Sequence, residues 1–399
     1  MRLSKLMLPL LSLTAVGVAA AQSSSAAQST SDDAAARARL FGRCGGVEAK
    51  TLPTGTLPGI YQGTLGTQAI TLELAGTVSQ DSEHADRYAY DRHGVGIALE
   101  RGRAADRTAN YSLVGVESVF QGDGSGARAC LNLAADGDGL KGTWSTPDGR
   151  KKLPVTLSRV NVNIMPLALP SSPGLLKLRS TDPFTFVALN RAWTRVAGGA
   201  REPLTGVTYP RVAGGAAALN AALQDNQLKL AADALDCLSG NGVNLQTGAD
   251  YSGAGTLSWK SARLVSLHEE VAYYCGGAHP DNYTAGVTLD TRTGAAVKLA
   301  GKPGTLWPAL NARKVQALYL AGYPRGGDVA DCLDSVSSPD ISTEYDNYTL
   351  YLSAKGLALW PSYLPHVVQA CAEVVTVPYA RLRTLADPKS VYFRDLYSR

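Results

Sequence analysis

The chain has 399 residues, 45% of them hydrophobic and 18% charged, with a formal net charge of +4. So small a charge on so long a chain, part of it from Arg2 and Lys5 alone, forms no basic stripe of the kind that holds nucleic acid. The apolar fraction is ample for packed cores.

The first stretch, MRLSKLMLPLLSLTAVGVAAAQ, sets Arg2 and Lys5 ahead of an apolar run ending in Ala19-Ala20-Ala21. This is the pattern of a cleavable secretory signal, residues 1–21, too short and too small at its end to hold as an anchor. No cysteine follows the run to carry a lipid. Nothing later approaches the roughly 20 apolar residues that a bilayer span needs, so the expectation is a periplasmic or secreted protein without a membrane span after cleavage. Residues 22–40 hold few large apolar side chains and are expected to be a disordered linker. The remaining length of about 360 residues exceeds one ordinary core and suggests two domains, 41–159 and 160–399.

From Leu57 to Arg159 short alternating runs are separated by Gly, Asn or Asp turns: GIYQGTLG, AITLELAG, RYAYDRHG, VGIALERG, ANYSLVGVE, ARACLNLAADGDG, LKGTWSTPDG and KLPVTLSR. Each fits one strand, and eight short strands without helical pattern between them predict an antiparallel β-barrel or strongly curved sheet. Ile70, Leu72 and Leu74 give one buried face; Thr71 and Glu73 are expected on a wet one. Asp136-Gly-Asp138-Gly lacks the remaining ligands of a calcium loop and reads as a hairpin turn.

Residues 160–215 are rich in Pro and Gly, with VNVNIMPLALP as one expected strand. AAALNAALQDNQLKLAADALDCL follows as the clearest helix, its Leu219, Leu223, Leu228 and Leu235 returning at near-helical spacing. A sheet is then supplied by GTLSWKSARLVSLHEEVAYYC and YTAGVTLDTRTGAAVKL, the latter turning at Arg292-Thr293-Gly294. A second helix is expected through LWPALNARKVQALYLAGY, a hairpin around Ala354-Lys355-Gly356, and a late strand in VVTVPYARL. The second domain is thus α+β, with helices on one face of an antiparallel sheet.

Cys44, Cys130, Cys237, Cys275, Cys332 and Cys371 form an even set, which in an exported chain favours disulfides over thiol chemistry. If Cys44 pairs with Cys130, the other four allow three connectivities; we take Cys237 with Cys275 and Cys332 with Cys371.

Four segments together resemble a known family: Tyr273-Tyr-Cys-Gly-Gly-Ala-His-Pro280, Asp290-Thr-Arg-Thr-Gly294, Tyr351-Leu-Ser-Ala-Lys-Gly356-Leu and Val377-Pro-Tyr-Ala-Arg-Leu382, with YPRVAGGAAALNAAL as the entry. Over roughly residues 205–385 the chain is similar to the RsiV-type extracellular domain, found on a lysozyme-binding anti-sigma factor and appended to some peptidoglycan deacetylases. The resemblance implies an exported α+β module that binds a partner in or near the cell envelope, lysozyme in the family's case. No sigma-binding segment or internal membrane helix accompanies it, and the Asp-Asp and His-x-x-x-His set of the deacetylases is missing, so catalysis does not carry over.

Within YYCGGAHPDNY, Gly276-Gly277 breaks any helix that would align Cys275 with His279, and no second Cys/His pair lies near, so neither metal nor other cofactor is expected. Leu267-His268-Glu269-Glu270 fails as a zinc-protease helix because Ala272 stands where the second histidine must. Tyr274, His279, Asn282 and Tyr283 are the candidate ligand-binding residues, since flat rings and amides suit both sugars and proteins. Between Arg325 and Lys355 lie six acids and no Lys or Arg: Asp328, Asp331, Asp334, Asp340, Glu344 and Asp346, a candidate surface for a cationic partner. The expected function is non-catalytic binding of an envelope protein or a peptidoglycan glycan; the alternative is a peptidoglycan-acting hydrolase or deacetylase accessory.

Overall fold

The computed structural model describes residues 34–77, 86–121, 124–239, 249–276, 278–303, 305–326, 331–337 and 347–397. The secretory signal expected over 1–21 lies outside them. Part of the expected linker lies inside: residues 34–42 form a helix, α1, whose Leu40 and Phe41 are buried against Val114 and Val116. Two large apolar side chains near its end suffice to order what the polar composition before them does not suggest.

Nine strands follow: β1 (Gly46–Glu48), β2 (Gly59–Leu65), β3 (Gln68–Leu74), β4 (Asp86–Tyr90), β5 (Ile97–Ala104), β6 (Leu113–Gln121), β7 (Gly124–Asp136), β8 (Gly139–Ser145) and β9 (Lys152–Val160). β2 to β9 close an eight-stranded antiparallel barrel, because β5 pairs with β4 through its first half and with β6 through its second. Closure removes the free edges that an open sheet would expose. Leu65, Ile70, Leu72, Leu131, Leu133 and Leu157 fill the interior. One end of the lumen is polar, with Arg101 paired to Asp86, and Tyr88 and Trp144 donating to Glu117. β1 lies outside, beside β5.

The outer face of β3 is not wet as expected. Thr71 is buried and donates to Asp91 Oδ1, because two short helices, α2 (Pro173–Thr181) and α3 (Pro183–Leu189), cover that side of the barrel. They occupy a region read as irregular from its prolines. Ser172 and Asp182 cap them with side-chain oxygens, and each has proline at its first position. The strand expected in VNVNIMPLALP is instead a 3₁₀ turn, Val162–Ile164, followed by extended chain.

Phe184, Phe186 and Leu189 of α3 meet Ile60 and Ala89 of the barrel and Leu228, Ala231 and Leu235 of α4 (Ala217–Ser239), so both halves of the chain share this core. Arg87 reaches from the barrel to Glu73 and Asp182 at 2.7 and 2.6 Å.

The opposite face of α4 packs on a six-stranded sheet in the order β10 (Thr194–Val196), β11 (Gly199–Arg201), β12 (Thr208–Pro210), β13 (Asp250–Lys260), β14 (Leu264–Tyr274), β15 (Asp281–Asp290). All neighbours are antiparallel except β12 and β13. The segment read as one strand from Gly255 to Cys275 turns at Ser261 and belongs to both β13 and β14. Odd-numbered Val265, Leu267 and Val271 face Leu219, Leu223 and Leu230 of α4.

Even-numbered residues of β14 face a separate three-stranded sheet, β16 (Tyr348–Ser353), β17 (Gly356–Pro361) and β18 (Val375–Val377). Leu352 N–H donates to Ser266 Oγ at 3.0 Å, and Thr349 Oγ1 to the Thr284 carbonyl at 2.7 Å. This sheet packs with Trp307 and with α5 (Ala312–Gly322), which begins at the Asn311 cap rather than at Leu306. Short helices α6 (Leu333–Val336), α7 (Tyr379–Leu382) and α8 (Phe393–Tyr397) complete it. The expected single sheet with helices on one face is therefore two sheets, with one helix layer against each. Among the described residues no helix is long and apolar enough to cross a membrane.

Disulfides join Cys44 to Cys130, Cys237 to Cys275 and Cys332 to Cys371, and no cysteine is free among the described residues.

Candidate functional site

β14 and β15 last pair at Tyr273 and Asp281. The connection between them starts at Cys275, held to the end of α4 by Cys237. Gly276 follows at φ 96°, a left-handed backbone that a side chain would strain; Gly277 lies outside the described residues. The chain then presents His279 to solvent, with Nδ1 3.0 Å from the Pro280 carbonyl.

His279 does not stand alone. Its ring stacks on His366, with centroids 4.2 Å apart and planes 7° from parallel. His366 begins a 3₁₀ turn, His366–Cys371, and its Nδ1 lies 3.6 Å from Asp281 Oδ1. The other Asp281 oxygen accepts from Tyr273 Oη at 3.4 Å, and Gln369 Nε2 donates to Asn282 Oδ1 at 3.4 Å. Cys371, at the end of this turn, is bonded to Cys332, one residue before α6. The patch therefore has two supports, each pinned by its own disulfide.

The four residues expected to bind a ligand divide between two faces. His279 and Asn282 belong to the stacked patch. Tyr283 pairs with Val271 and lies on the α4 side of the sheet, edge-on to Tyr273 with centroids 6.3 Å apart; Tyr273 is in turn 6.5 Å from Tyr251. Tyr274, half-buried at the end of β14, falls on the Asn282 side by strand alternation. His366, Gln369, Asp281 and Tyr273 were not among the expected site residues, and nothing in the sequence links the His366 turn to the diglycine loop.

Burial raises the phenol pKa of Tyr251, with Tyr283 next in effect; burial also raises those of Tyr283 and Tyr273, the latter with help from Asp281. These rings are neutral donors at physiological pH. Glu269, buried behind them, is raised by desolvation against the opposing hydrogen bond from Tyr209 Oη. His268 lies in strand β14, not a helix, 5.0 Å from the Tyr351 ring.

Cys275 is oxidised and offers no thiolate to a neighbouring histidine. Among the described residues no three His, Cys, Asp or Glu side chains converge as metal ligands. Of the acidic run, Asp331 and Asp334 are exposed on either side of Cys332; Asp328, Asp340, Glu344 and Asp346 lie outside the described residues. The patch thus gathers ring faces, amides and nearby carboxylates on one side of the fold.

No protein-family model and no curated protein matches the chain. Solved structures similar to parts of it include a DUF3298-family member from Bacteroides fragilis, at 12% identity and a TM-score of 0.26 over 45% of this chain and 68% of that one. A DUF3298-family protein from Pseudomonas aeruginosa is similar at 15% identity and a TM-score of 0.23, over 35% of this chain and 63% of that one. The match thus spans a little under two thirds of the second protein. At scores and identities this low, neither fold nor function is transferred from them.

Proposed function

We propose that this chain is an exported, non-catalytic binding protein of the cell envelope, and that the patch formed by the diglycine loop and the His366–Cys371 turn docks a lysozyme-like protein or a peptidoglycan glycan. The observation that carries this reading is the stack of exposed His279 on half-buried His366, beside the Asn282–Gln369 amide pair. Flat rings flanked by amides offer stacking area and directional hydrogen bonds at low ordering cost, as recognition surfaces require. Two disulfides hold the supports, so little order has to be gained on binding. Three disulfides also suit an oxidising space outside the cytoplasm.

Charge favours a cationic protein over a neutral glycan. The Cys332–Cys371 bond brings Asp331 and Asp334 next to the turn that carries His366, and opposite potentials speed encounter.

The test uses the immobilised full chain with purified lysozyme and soluble peptidoglycan fragments as separate analytes. Replacing His279 and His366 together by Ala should weaken binding ~10-fold or more, the scale of a central contact. Asp331→Asn with Asp334→Asn should slow association and flatten its salt dependence. Binding of neither analyte refutes the proposal. Peptidoglycan turnover that His279→Ala abolishes, with the thermal midpoint unchanged, would establish the hydrolase or deacetylase alternative.

A further inference from the structure

β15 is the outermost strand of the six-stranded sheet. It pairs with β14 without a register shift from Asp281 to Asp290, so alternate residues direct their backbone groups away from β14. The even-numbered residues are the outward set: the Thr288 carbonyl accepts from Val297 N–H at 2.8 Å, and the Thr284 carbonyl from Thr349 Oγ1 at 2.7 Å. One end of this edge is covered by the bridge from Leu289 to Ala296. At the other, the Asn282 N–H is taken by Asp281 Oδ1 at 2.8 Å. Between them stand the Thr284 N–H, both backbone groups of Gly286 and the Thr288 N–H, with no pairing strand among the described residues.

These groups border an open cleft of about 740 Å³, with α4 residues such as Asn226 on one side and β16 on the other. Natural sheet edges are blunted by proline, lysine or a bulge. The stretch NYTAGVTL, residues 282–289, has no proline, no charge and no bulge. Proline, charge and bulge are thus absent along the length that faces the cleft, and β16 touches it at Thr284 and Gly286.

The charge around the cleft identifies the occupant. Lys298 and Lys302 line it and are exposed. The Asp225 carboxylate on the opposite wall is already engaged by Ser172 Oγ at 2.5 Å and Gly174 N–H at 2.9 Å. Among the described residues neither lysine has an ion-pair partner, and both border the stretch of edge without a pairing strand.

We infer that the β15 edge takes up an extended, acidic segment of a partner polypeptide as an added strand. The Thr284 N–H, both backbone groups of Gly286 and the Thr288 N–H supply the main-chain hydrogen bonds, and Lys298 and Lys302 select carboxylates beside them. A second copy of this chain is a poorer occupant, since edge-to-edge pairing would oppose the lysines of both. No residue lining the cleft belongs to the His279–His366 patch, so failure of this inference leaves the docking proposal untouched, and the reverse.

The experiment uses the full chain with a short fluorescein-labelled peptide of alternating Thr and Val with Asp at both ends, and the same peptide with Lys at the ends. Fluorescence anisotropy should show the acidic peptide binding at least ~5-fold tighter, with the preference falling as salt rises. Amide hydrogen exchange should slow at Thr284, Gly286 and Thr288 on its addition. Thr284→Pro removes an outward N–H at an edge where proline is tolerated and leaves the β14 ladder intact; it should abolish binding with an unchanged thermal midpoint. Lys298→Glu with Lys302→Glu should reverse the peptide preference, and stands as the test even where the proline variant fails to fold. Equal affinity for both peptides, binding of neither, undiminished binding by Thr284→Pro in its folded form, or edge protection that instead tracks dimerisation of the chain overturns the inference.

Discussion

His279 and His366 stack face to face, joining a loop between two strands of the six-stranded sheet to the turn between β17 and β18 of the three-stranded one. A contact between two separately anchored supports should show as coupling, not as a sum of single effects. Aromatic pairs contribute about 0.5–1.5 kcal/mol beyond their buried area, and the exposure of His279 places this one at the low end. A double-mutant cycle of His279→Ala and His366→Ala, followed by chemical denaturation, should return a coupling of about 0.5 kcal/mol. Additive losses would show that the rings are merely adjacent.

Gly286 is one of the points where the two sheets touch. A Cβ at this position would run into the backbone carbonyl of Leu350 in β16, which is not the end of a flexible side chain and has no room to turn aside. Gly286→Val should therefore force the strands apart and cost about 1–3 kcal/mol, the usual range for overpacking. Thermal unfolding measures it; a midpoint equal to that of the unaltered chain would mean that β16 rides loosely over β15.

The barrel was legible because each strand carries period-two alternation and a Gly, Asn or Asp turn at its end, signals that act within a few residues. Helix α4 was legible for the same local reason, its leucine stripe. What the sequence left unread came from tertiary partners. Thr71 looked solvent-facing because nothing beside it announces α3, although Ser172-Pro173 and Asp182-Pro183 are sound helix starts that proline-rich surroundings disguised. LWPAL looked helical because Leu306 and Trp307 are apolar, yet they plug the core beside the three-stranded sheet as loop residues. In the site, Tyr283 and Asn282 are neighbours in sequence and opposite in space, as strand alternation demands. His366 could not be assigned to the patch, because only the folded chain brings its turn to the loop.

Glu269 gives a pH dependence whose sign follows from its burial. Desolvation raises its carboxyl pKa above the ordinary 4.5, with the Tyr209 Oη hydrogen bond of 2.6 Å opposing the rise. Between the ordinary value and the raised one, the folded chain holds more protons than the unfolded chain, so this group's contribution to stability falls as pH climbs through that window and is level above it. Glu269→Gln keeps an acceptor for Tyr209 and removes the titration. The variant should lose this group's downward slope and, above the window, melt higher than the unaltered chain. Parallel curves of midpoint against pH would exclude the effect.

Inside the barrel, Arg101 and Asp86 are 3% and 2% exposed, with Nε 2.7 Å from Oδ2. Arg101 also donates to the Ala75 carbonyl at 2.5 Å, tying down the chain that leaves β3. Arg101→Met alone leaves a carboxylate sealed in the lumen with, among the described residues, the Ala75 N–H to satisfy it, a loss of about 3–5 kcal/mol for a broken buried pair. Pairing that change with Asp86→Leu removes the stranded charge and should recover most of the loss. Denaturant midpoints of the single and double variants decide the matter, and a double variant no more stable than the single one would count against it.

The three disulfides should separate stability from docking. Their loops span 86, 38 and 39 residues of sequence, and in the chain-entropy picture loops of this size contribute about 4–5 kcal/mol each by restricting the unfolded chain. Replacing either Cys237 with Cys275, or Cys332 with Cys371, by Ala pairs should lower the thermal midpoint and also weaken binding of the ligand that the unaltered chain takes, since each staple fixes one support of the stacked patch. Replacing Cys44 and Cys130 should lower the midpoint alone, because that bond clamps the α1 end of the chain to the barrel wall. Measured where all three variants remain folded, equal affinity across the set would remove the stapled patch from the docking proposal.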